Sequence, residues 1–497
     1  METVNKERCC KQISWEILYS DFRGIERKTV ELLNKEFGQK VLRQQGVYTL
    51  YVLPCKKYNG EPVQHNAIVV GTYADNELIR TYIKEEEVSE DGYCLQVVKN
   101  PDNEKGSLVL ITAKKEKYLY DCAVTFLYEY MTEKAIVHGG LRVPEITLDQ
   151  PLAEDTRSFA PAIQTRSIFT WGHPINDYRQ YIDNMAKLHL NQLIIWNDYV
   201  PLNAKEISDY AHSYGIEVIW GYAWGWSTAI HKQSITMEAL EELKKNVIKE
   251  FEENYAPMGL DGIYFQSFTE IDQEYLGGVL IAKVVTEFVN DVTNTLLEKY
   301  PKLKIQFGLH ARSVKKHLDE LAKVDRRVEI LWEDCGCFPY HYLPIVENEQ
   351  EFEETLAFTE KIITLRGDAP MGLVFKGMMT IDWDFDYNDG HQMFVNQRGP
   401  YILGENSDSV VKHDKQLRRN IWRYFYGEWT VYGKYAQRVA RLAERLTKGN
   451  INLCMVCEGD GGIYLPEAIC SEIFWNPDEK FENIVMRSFA RDDVELL

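Results

Sequence analysis

Apolar positions fall into two regimes along the chain. Up to about residue 150, short runs rich in β-branched and aromatic residues at 47–52, 67–70, 93–98 and 107–112 are bounded by Asn, Gly, Pro and Asp. Such runs predict strands. A helical pattern follows over 118–131. Strands with one or two helices predict a small α+β sandwich over residues 1–150. A Pro-punctuated stretch without periodicity then predicts an extended linker over 151–165. Beyond it, short apolar runs at 167–171, 192–196, 217–222, 262–268, 304–309, 328–332, 372–378 and 452–457 alternate with longer segments. Several of those segments, such as 178–190, 237–253 and 280–300, place apolar residues at i, i+3 and i+4, the helical spacing. Eight strands with helical crossovers fit a (β/α)8 TIM barrel over 166–497 better than an open doubly wound sheet. The gap at 383–450 is too long for one loop and predicts a helical insertion ending in a charged helix near 415–448. The fold class expected is therefore α/β, a TIM barrel preceded by a small α+β sandwich domain.

Composition narrows the function classes. The chain has 497 residues with 11 Trp, 30 Tyr and 20 Phe, too aromatic for a solvated, disordered chain. Lys plus Arg number 56 against 76 Asp plus Glu, a net of 56 − 76 = −20. A field of that sign repels phosphate backbones and makes nucleic acid an unexpected partner. No run of about 18 apolar residues predicts a membrane span, and residues 1–10 lack the apolar stretch of a secretory signal. The expectation is a cytoplasmic protein with no membrane partner. The pairs Cys9/Cys10, Cys335/Cys337 and Cys454/Cys457 have no His at finger spacing and read as reduced thiols, not a structural metal site. No Gly-rich phosphate fingerprint follows a strand, so no nucleotide or other cofactor is expected.

In a (β/α)8 barrel the C-terminal strand ends build the active site. Here they read Trp171-Gly-His173, Trp196-Asn197-Asp198-Tyr199, Trp220 through Trp224 to Trp226, Gln266 through Thr269-Glu270, His310, Trp332-Glu333-Asp334, Lys376 followed by Trp383-Asp384, and Glu458-Gly-Asp460. Seven of the 11 Trp lie at these positions. Some could merely cap the barrel, and Trp224 and Trp226 alternate so that one of the two faces the cavity. Aromatic platforms beside carboxylates and amides suit a sugar, whose C–H faces stack on rings and whose hydroxyls need convergent polar groups. The expected substrate-binding set is Trp171, Asn197, Asp198, Trp220, Trp224, Gln266, His310, Lys376, Trp383, Asp384 and Glu458.

Glu270 follows apolar or uncharged residues, where a carboxyl's pKa rises as a general acid requires. Glu333 and Asp334 lie two strands further round, and adjacent residues in an extended segment point opposite ways. One of them, with Glu333 slightly favoured, would be the base or nucleophile. Two carboxylates flanking a bond are the arrangement of glycoside hydrolysis, retaining or inverting by their separation. The expected activity is exo-acting hydrolysis of small oligosaccharides or glycosides, in a chain with a possible homo-oligomeric state. Glu270, His310 and Glu333 on consecutive strands also offer raw material for a metal-dependent sugar isomerase or epimerase. A carbohydrate-binding barrel without catalysis is the non-enzyme alternative.

Ala67 through Ile79, with Val70-Gly71-Thr72 and Asn76, is similar to the "I-x-V-G-T-x-x-x-N" segment of the accessory domain in glycoside hydrolase families 20, 67 and 84. Asp91–Tyr93, Leu108–Ile111 and the helix at 120–127 are similar to later parts of that domain. The tail from Tyr464-Leu-Pro-Glu-Ala through Phe474-Trp-Asn-Pro477 resembles the barrel closure of these relatives. Family 20 β-N-acetylhexosaminidases end the fourth strand in Asp-Glu, whereas this chain has Thr269-Glu270. The resemblance therefore implies an acid role for Glu270 and supplies no Asp to support an acetamido group. Family 67 α-glucuronidases keep a lone Glu after a small hydroxyl residue, which implies that Glu333 or Asp334 activates water.

Overall fold

A computed structural model describes residues 15–44, 53–133, 148, 151–170, 177–196, 200–225, 236–266, 269, 273–310, 313–333, 349–378, 407–457 and 462–496. The chain divides into two compact units, one of Met1–Pro161 with Ala490–Asp492, the other of Ala162–Phe489 with Asp493–Leu497.

The first unit contains β1 (Trp15–Tyr19), α1 (Gly24–Gln44), β2 (Cys55–Lys57), β3 (Asn66–Thr72), α2 (Glu77–Tyr82), β4 (Tyr93–Asn100), β5 (Asn103–Ala113), α3 (Leu119–Val124) and β6 (Asp155–Phe159). Its single sheet runs β2-β1-β3-β5-β4-β6. β1, β2, β3 and β5 are parallel, while β4 is antiparallel to both β5 and β6. Alternating side chains supply two apolar faces. One carries Leu18, Ala67, Val69, Cys94, Leu108 and Leu110 against Ile79 and Ile83 of the α2 region. On the other, Trp15 meets Phe37 edge-on at 4.8 Å, and Phe37 meets Phe126 at 5.5 Å.

Two sequence expectations change here. Residues 155–159, expected within a linker, form β6 and pair Tyr93↔Phe159 through Val97↔Asp155. Their polar alternation is that of an edge strand, which needs only one covered face, so it carried no strand signal. The amino-terminal strand and helix, β1 and α1, were not anticipated. The run at 47–52 lies outside the described residues.

The second unit is the expected barrel. Its elements are β7 (Thr165–Phe169), α4 (Tyr178–Lys187), β8 (Gln192–Trp196), α5 (Ala204–His212), β9 (Glu217–Gly221), α6 (Met237–Glu250), β10 (Gly262–Gln266), the hairpin β11 (Tyr275–Leu276) and β12 (Val279–Leu280), α7 (Ile281–Lys299), β13 (Lys304–Leu309), α8 (Leu318–Leu321), β14 (Val328–Trp332), α9 (Glu349–Thr364), β15 (Met371–Phe375), α10 (Ser407–Thr447), β16 (Asn452–Val456), β17 (Ile463–Tyr464), α11 (Leu465–Trp475), α12 (Phe481–Ala490) and β18 (Val494–Glu495). Eight parallel strands close in the order β7-β8-β9-β10-β13-β14-β15-β16.

The inward residues form layers. At the amino-terminal end, Gln192 Oε1 accepts from Ser167 at 3.1 Å, Gln306 at 2.8 Å and Asn452 at 2.9 Å, and Gln306 also donates to Glu329 at 2.6 Å. Burial pushes the Glu329 carboxyl up. Above this polar floor sits an apolar layer of Phe169, Ile194, Ile219, Leu331, Val374 and Cys454.

The helical insertion packs on its own barrel. Trp429 of α10 donates to the Gly377 carbonyl at 3.0 Å, just past β15, and Gln437 donates to the carbonyls of Pro477 and Glu479 at 2.9 and 2.6 Å. Cys454 and Cys457 are buried thiols not joined in a disulfide; Cys335 and Cys337 lie outside the described residues. No helix among the described residues is long and apolar enough to cross a membrane.

Candidate active site

The third inward layer, at the carboxyl ends of the strands, is polar again. β10 turns Tyr264 and Gln266 inward, His310 follows β13, Glu333 follows β14 and Lys376 follows β15. Each stands an even number of residues from an inward neighbour on its own strand, so the pleat aims all five at the barrel axis. Glu333 is the centre. It has no exposed surface, with hydrogen-bond donors at one carboxylate oxygen and basic groups beside the other. Tyr264 donates its hydroxyl to Oε1, and Gln266 Nε2 donates to the same oxygen at 2.8 Å. On the other side His310 Nε2 lies 3.1 Å and Lys376 Nζ 3.4 Å from Oε2.

Burial alone would raise the Glu333 pKa. The positive charges of His310 and Lys376, with the His310 and Tyr264 hydrogen bonds, outweigh it and hold the carboxyl far below the usual carboxylate range. The same negative charge, added to burial, pushes the Tyr264 phenol well up, so Tyr264 stays protonated and donates. Glycine makes the arrangement possible at one point. Gly308 lies on β13 between β10 and β14, and a Cβ there would collide with Tyr264 Oη and Glu333 Oε1. The Tyr264–Glu333 hydrogen bond crosses over the missing side chain.

The charged neighbours favour the ionised form of Glu333. It is well matched to keeping Lys376 and His310 in place at the barrel mouth. His310 and Glu333 do meet, as two of the residues considered for a metal site, but as an ion pair. Among the described residues no group of three or more His, Cys, Asp or Glu side chains is arranged to hold a metal ion.

Of the residues expected from the strand ends, the structure brings together Gln266, His310, Glu333 and Lys376. It separates Trp220 and Trp224 from them. Trp220 lies between inward Ile219 and Gly221 and so faces the helical shell, 1% exposed. Trp224 is fully buried, stacked on Phe265 at 3.6 Å and edge-on to Phe288 of α7 at 6.3 Å. These two rings are packing residues, and the expectation that they form a sugar platform is corrected. Trp332 also faces outward, donating to Thr359 of α9 at 3.1 Å. Trp196 is the one described strand-end Trp that turns inward, meeting Tyr264 at 5.8 Å. Trp171, Asn197, Asp198, Glu270, Asp334, Trp383, Asp384 and Glu458 lie outside the described residues.

Tyr264 was missed. It reads as one more apolar residue of a buried strand, but it stands at i−2 from Gln266 and therefore shares its face. That parity was the available signal.

No protein-family model matches this sequence, and no curated protein matches it. Solved structures do. The chain is similar to a GH115 4-O-methyl-α-glucuronidase with specificity for decorated arabinogalactans, at 12% identity and a TM-score of 0.46 over 94% of this chain and 56% of that one. It thus spans little more than half of that enzyme. It is similar to a GH20 exo-β-N-acetylglucosaminidase from Vibrio harveyi at 10% identity and a TM-score of 0.45, covering 97% of this chain and 73% of that one. A GH20 β-N-acetylhexosaminidase from Streptomyces coelicolor A3(2) follows at 12% identity and a TM-score of 0.42, covering 72% and 70%.

Proposed function

We propose that this protein is a glycoside hydrolase acting at the carboxyl-terminal mouth of its barrel, in an exo mode on small oligosaccharides or glycosides. The observation that carries the reading is the buried Glu333 cluster. Ionised groups are costly to bury and cost several kcal/mol each even after relaxation. A carboxylate fixed by four partners drawn from three other strands of one barrel end, above an apolar layer, therefore marks where the fold spends stability on function.

In this reading Glu270 protonates the leaving oxygen and Glu333 or Asp334 activates water or attacks the anomeric carbon, Glu333 being the one that strand alternation turns to the barrel axis. Lys376, His310 and Gln266 meet hydroxyls, and Trp196 offers an apolar edge to a ring. Carbohydrate is the partner expected, with no cofactor required for acid–base cleavage.

The test is a panel of 4-nitrophenyl glycosides and short oligosaccharides, assayed with wild type and Glu270→Gln. We expect hydrolysis of at least one sugar, reduced by roughly 100-fold or more in the variant. No turnover across the panel, or an unaffected variant, would overturn the reading.

A further inference from the structure

The loop after β10 is fastened at two points to the segment after β13, and Glu270 lies between them. At the near end, the buried Thr269 carbonyl accepts two hydrogen bonds from a single residue, Ser313, whose N–H donates at 3.3 Å and whose Oγ donates at 2.9 Å. Ser313 has no exposed surface and Thr269 only 1%. At the far end, Glu274 pairs with Lys316 and with His317 Nε2, the latter at 3.1 Å. The Glu274 carbonyl also receives the Ile281 N–H at 3.0 Å where α7 begins. Both fastenings come from residues 313–317, and only four residues separate the two fixed points on the loop. The Lys316 side chain is 77% exposed, and exposed ion pairs contribute little. The buried Ser313 end is therefore the stiff one.

We propose that Ser313 is a positioning residue for Glu270, fixing the peptide that precedes it so that the acid meets the leaving oxygen. The proposal rests on the reading of Glu270 as the general acid. General acid catalysis needs its proton within hydrogen-bond reach of the departing atom, and small displacements of a reacting group are costly in rate. Nothing in Ser313 itself takes part in the chemistry. Its hydroxyl and amide act on Glu270 through one carbonyl.

Leaving-group dependence separates positioning from general damage. A 2,4-dinitrophenyl glycoside departs without help from an acid, whereas a phenyl glycoside of the same sugar needs the proton. Ser313→Ala should lower kcat/KM for the phenyl glycoside roughly 10-fold, a part of what an acid contributes. For the dinitrophenyl glycoside the same variant should stay within roughly twofold, since no proton is needed there. Ser313→Thr, which keeps the hydroxyl, should recover the phenyl rate. Glu274→Gln, at the exposed end, should show the same discrimination to a smaller degree and serves if the Ser313 variants do not fold. Equal slowing of both substrates, or of neither, while Glu270→Gln discriminates strongly between them, would overturn the positioning role. Absence of discrimination in Glu270→Gln would instead remove the reading of Glu270 as the acid.

Discussion

Glu333 shows how a single residue can be legible in position while its partners are not. Its place after the sixth strand follows from counting strands and applying the rule that barrel chemistry gathers at carboxyl ends. Its role depends on partners that no local pattern displays, three of them, Tyr264, Gln266 and Lys376, more than 40 residues away in sequence. Replacing it tests the pairing. Glu333→Gln keeps the shape but leaves Lys376 and His310 without a counter-charge, and removing one partner of a buried pair costs about 3–5 kcal/mol. Urea denaturation should show a loss of that size. A loss under about 1 kcal/mol, the range of an exposed pair, would mean that the cluster is hydrated and weak. Gly308→Ala probes the same bond from the backbone side. The added Cβ would push Tyr264 and Glu333 apart, and overpacking of this kind costs about 1–3 kcal/mol. Thermal denaturation should register it, with turnover in the proposed hydrolysis falling in parallel. The tryptophans teach the converse lesson. Position at a strand end was readable, but facing was not, because Gly221 gives no side chain from which to set the parity of β9.

At the scale of elements, α11 carries a titratable group in its first turn. Glu467 sits in the first turn, accepts the Tyr464 N–H at 2.7 Å and receives the Cys457 thiol at 2.9 Å. Burial pushes its carboxyl up to about 7 from an ordinary 4.5, and the nearby Glu495 charge adds to the rise. The Tyr426 phenol of α10 is likewise pushed up, first by burial and also by the neighbouring Glu467 and Glu495 charges. The folded protein thus holds a proton that the unfolded chain releases near pH 4.5. The resulting stabilisation is complete below that pH and is lost as pH rises through about 7. A gap of 7 − 4.5 = 2.5 pH units corresponds to about 3 kcal/mol. Melting temperatures from pH 5 to pH 8.5 should fall more steeply for wild type than for Glu467→Gln, since the amide cannot ionise. Parallel profiles would show that Glu467 is already charged. The long helix α10 was readable from its charge pattern as an insertion. Its contact with the site was not, because Trp429 reaches the Gly377 carbonyl from 52 residues away. Trp429→Phe should lower turnover through displacement of the neighbouring Lys376 while circular dichroism stays unchanged. An unaltered rate would mean that β15 holds Lys376 unaided.

The whole molecule was the most legible level. Short apolar runs separated by segments of helical spacing mark eight strands, and closure follows because parallel strands with covering helices have few other stable arrangements. Three of the eight predicted strands coincide with the observed ones, Gln192–Trp196, Lys304–Leu309 and Val328–Trp332. The other five differ by one to three residues at an end, the most at β15, expected to run to Met378 and ending at Phe375. The small domain was less legible. β1 and α1 precede any clear alternation, and β6 is held by pairing with β4 rather than by its own apolar character. What the sequence could not carry is the convergence of Tyr264, Gln266, His310 and Lys376 on one carboxylate, which exists only after the barrel closes.

That convergence is also where the account is most exposed to test. A crystal structure of Glu270→Gln soaked with the best oligosaccharide of the panel would locate the sugar. The account predicts a pyranose ring at the barrel mouth with hydroxyls within about 3 Å of Lys376, His310 or Gln266, above an unmoved Glu333. A sugar bound elsewhere, or a mouth occupied by the protein's own chain, would contradict it.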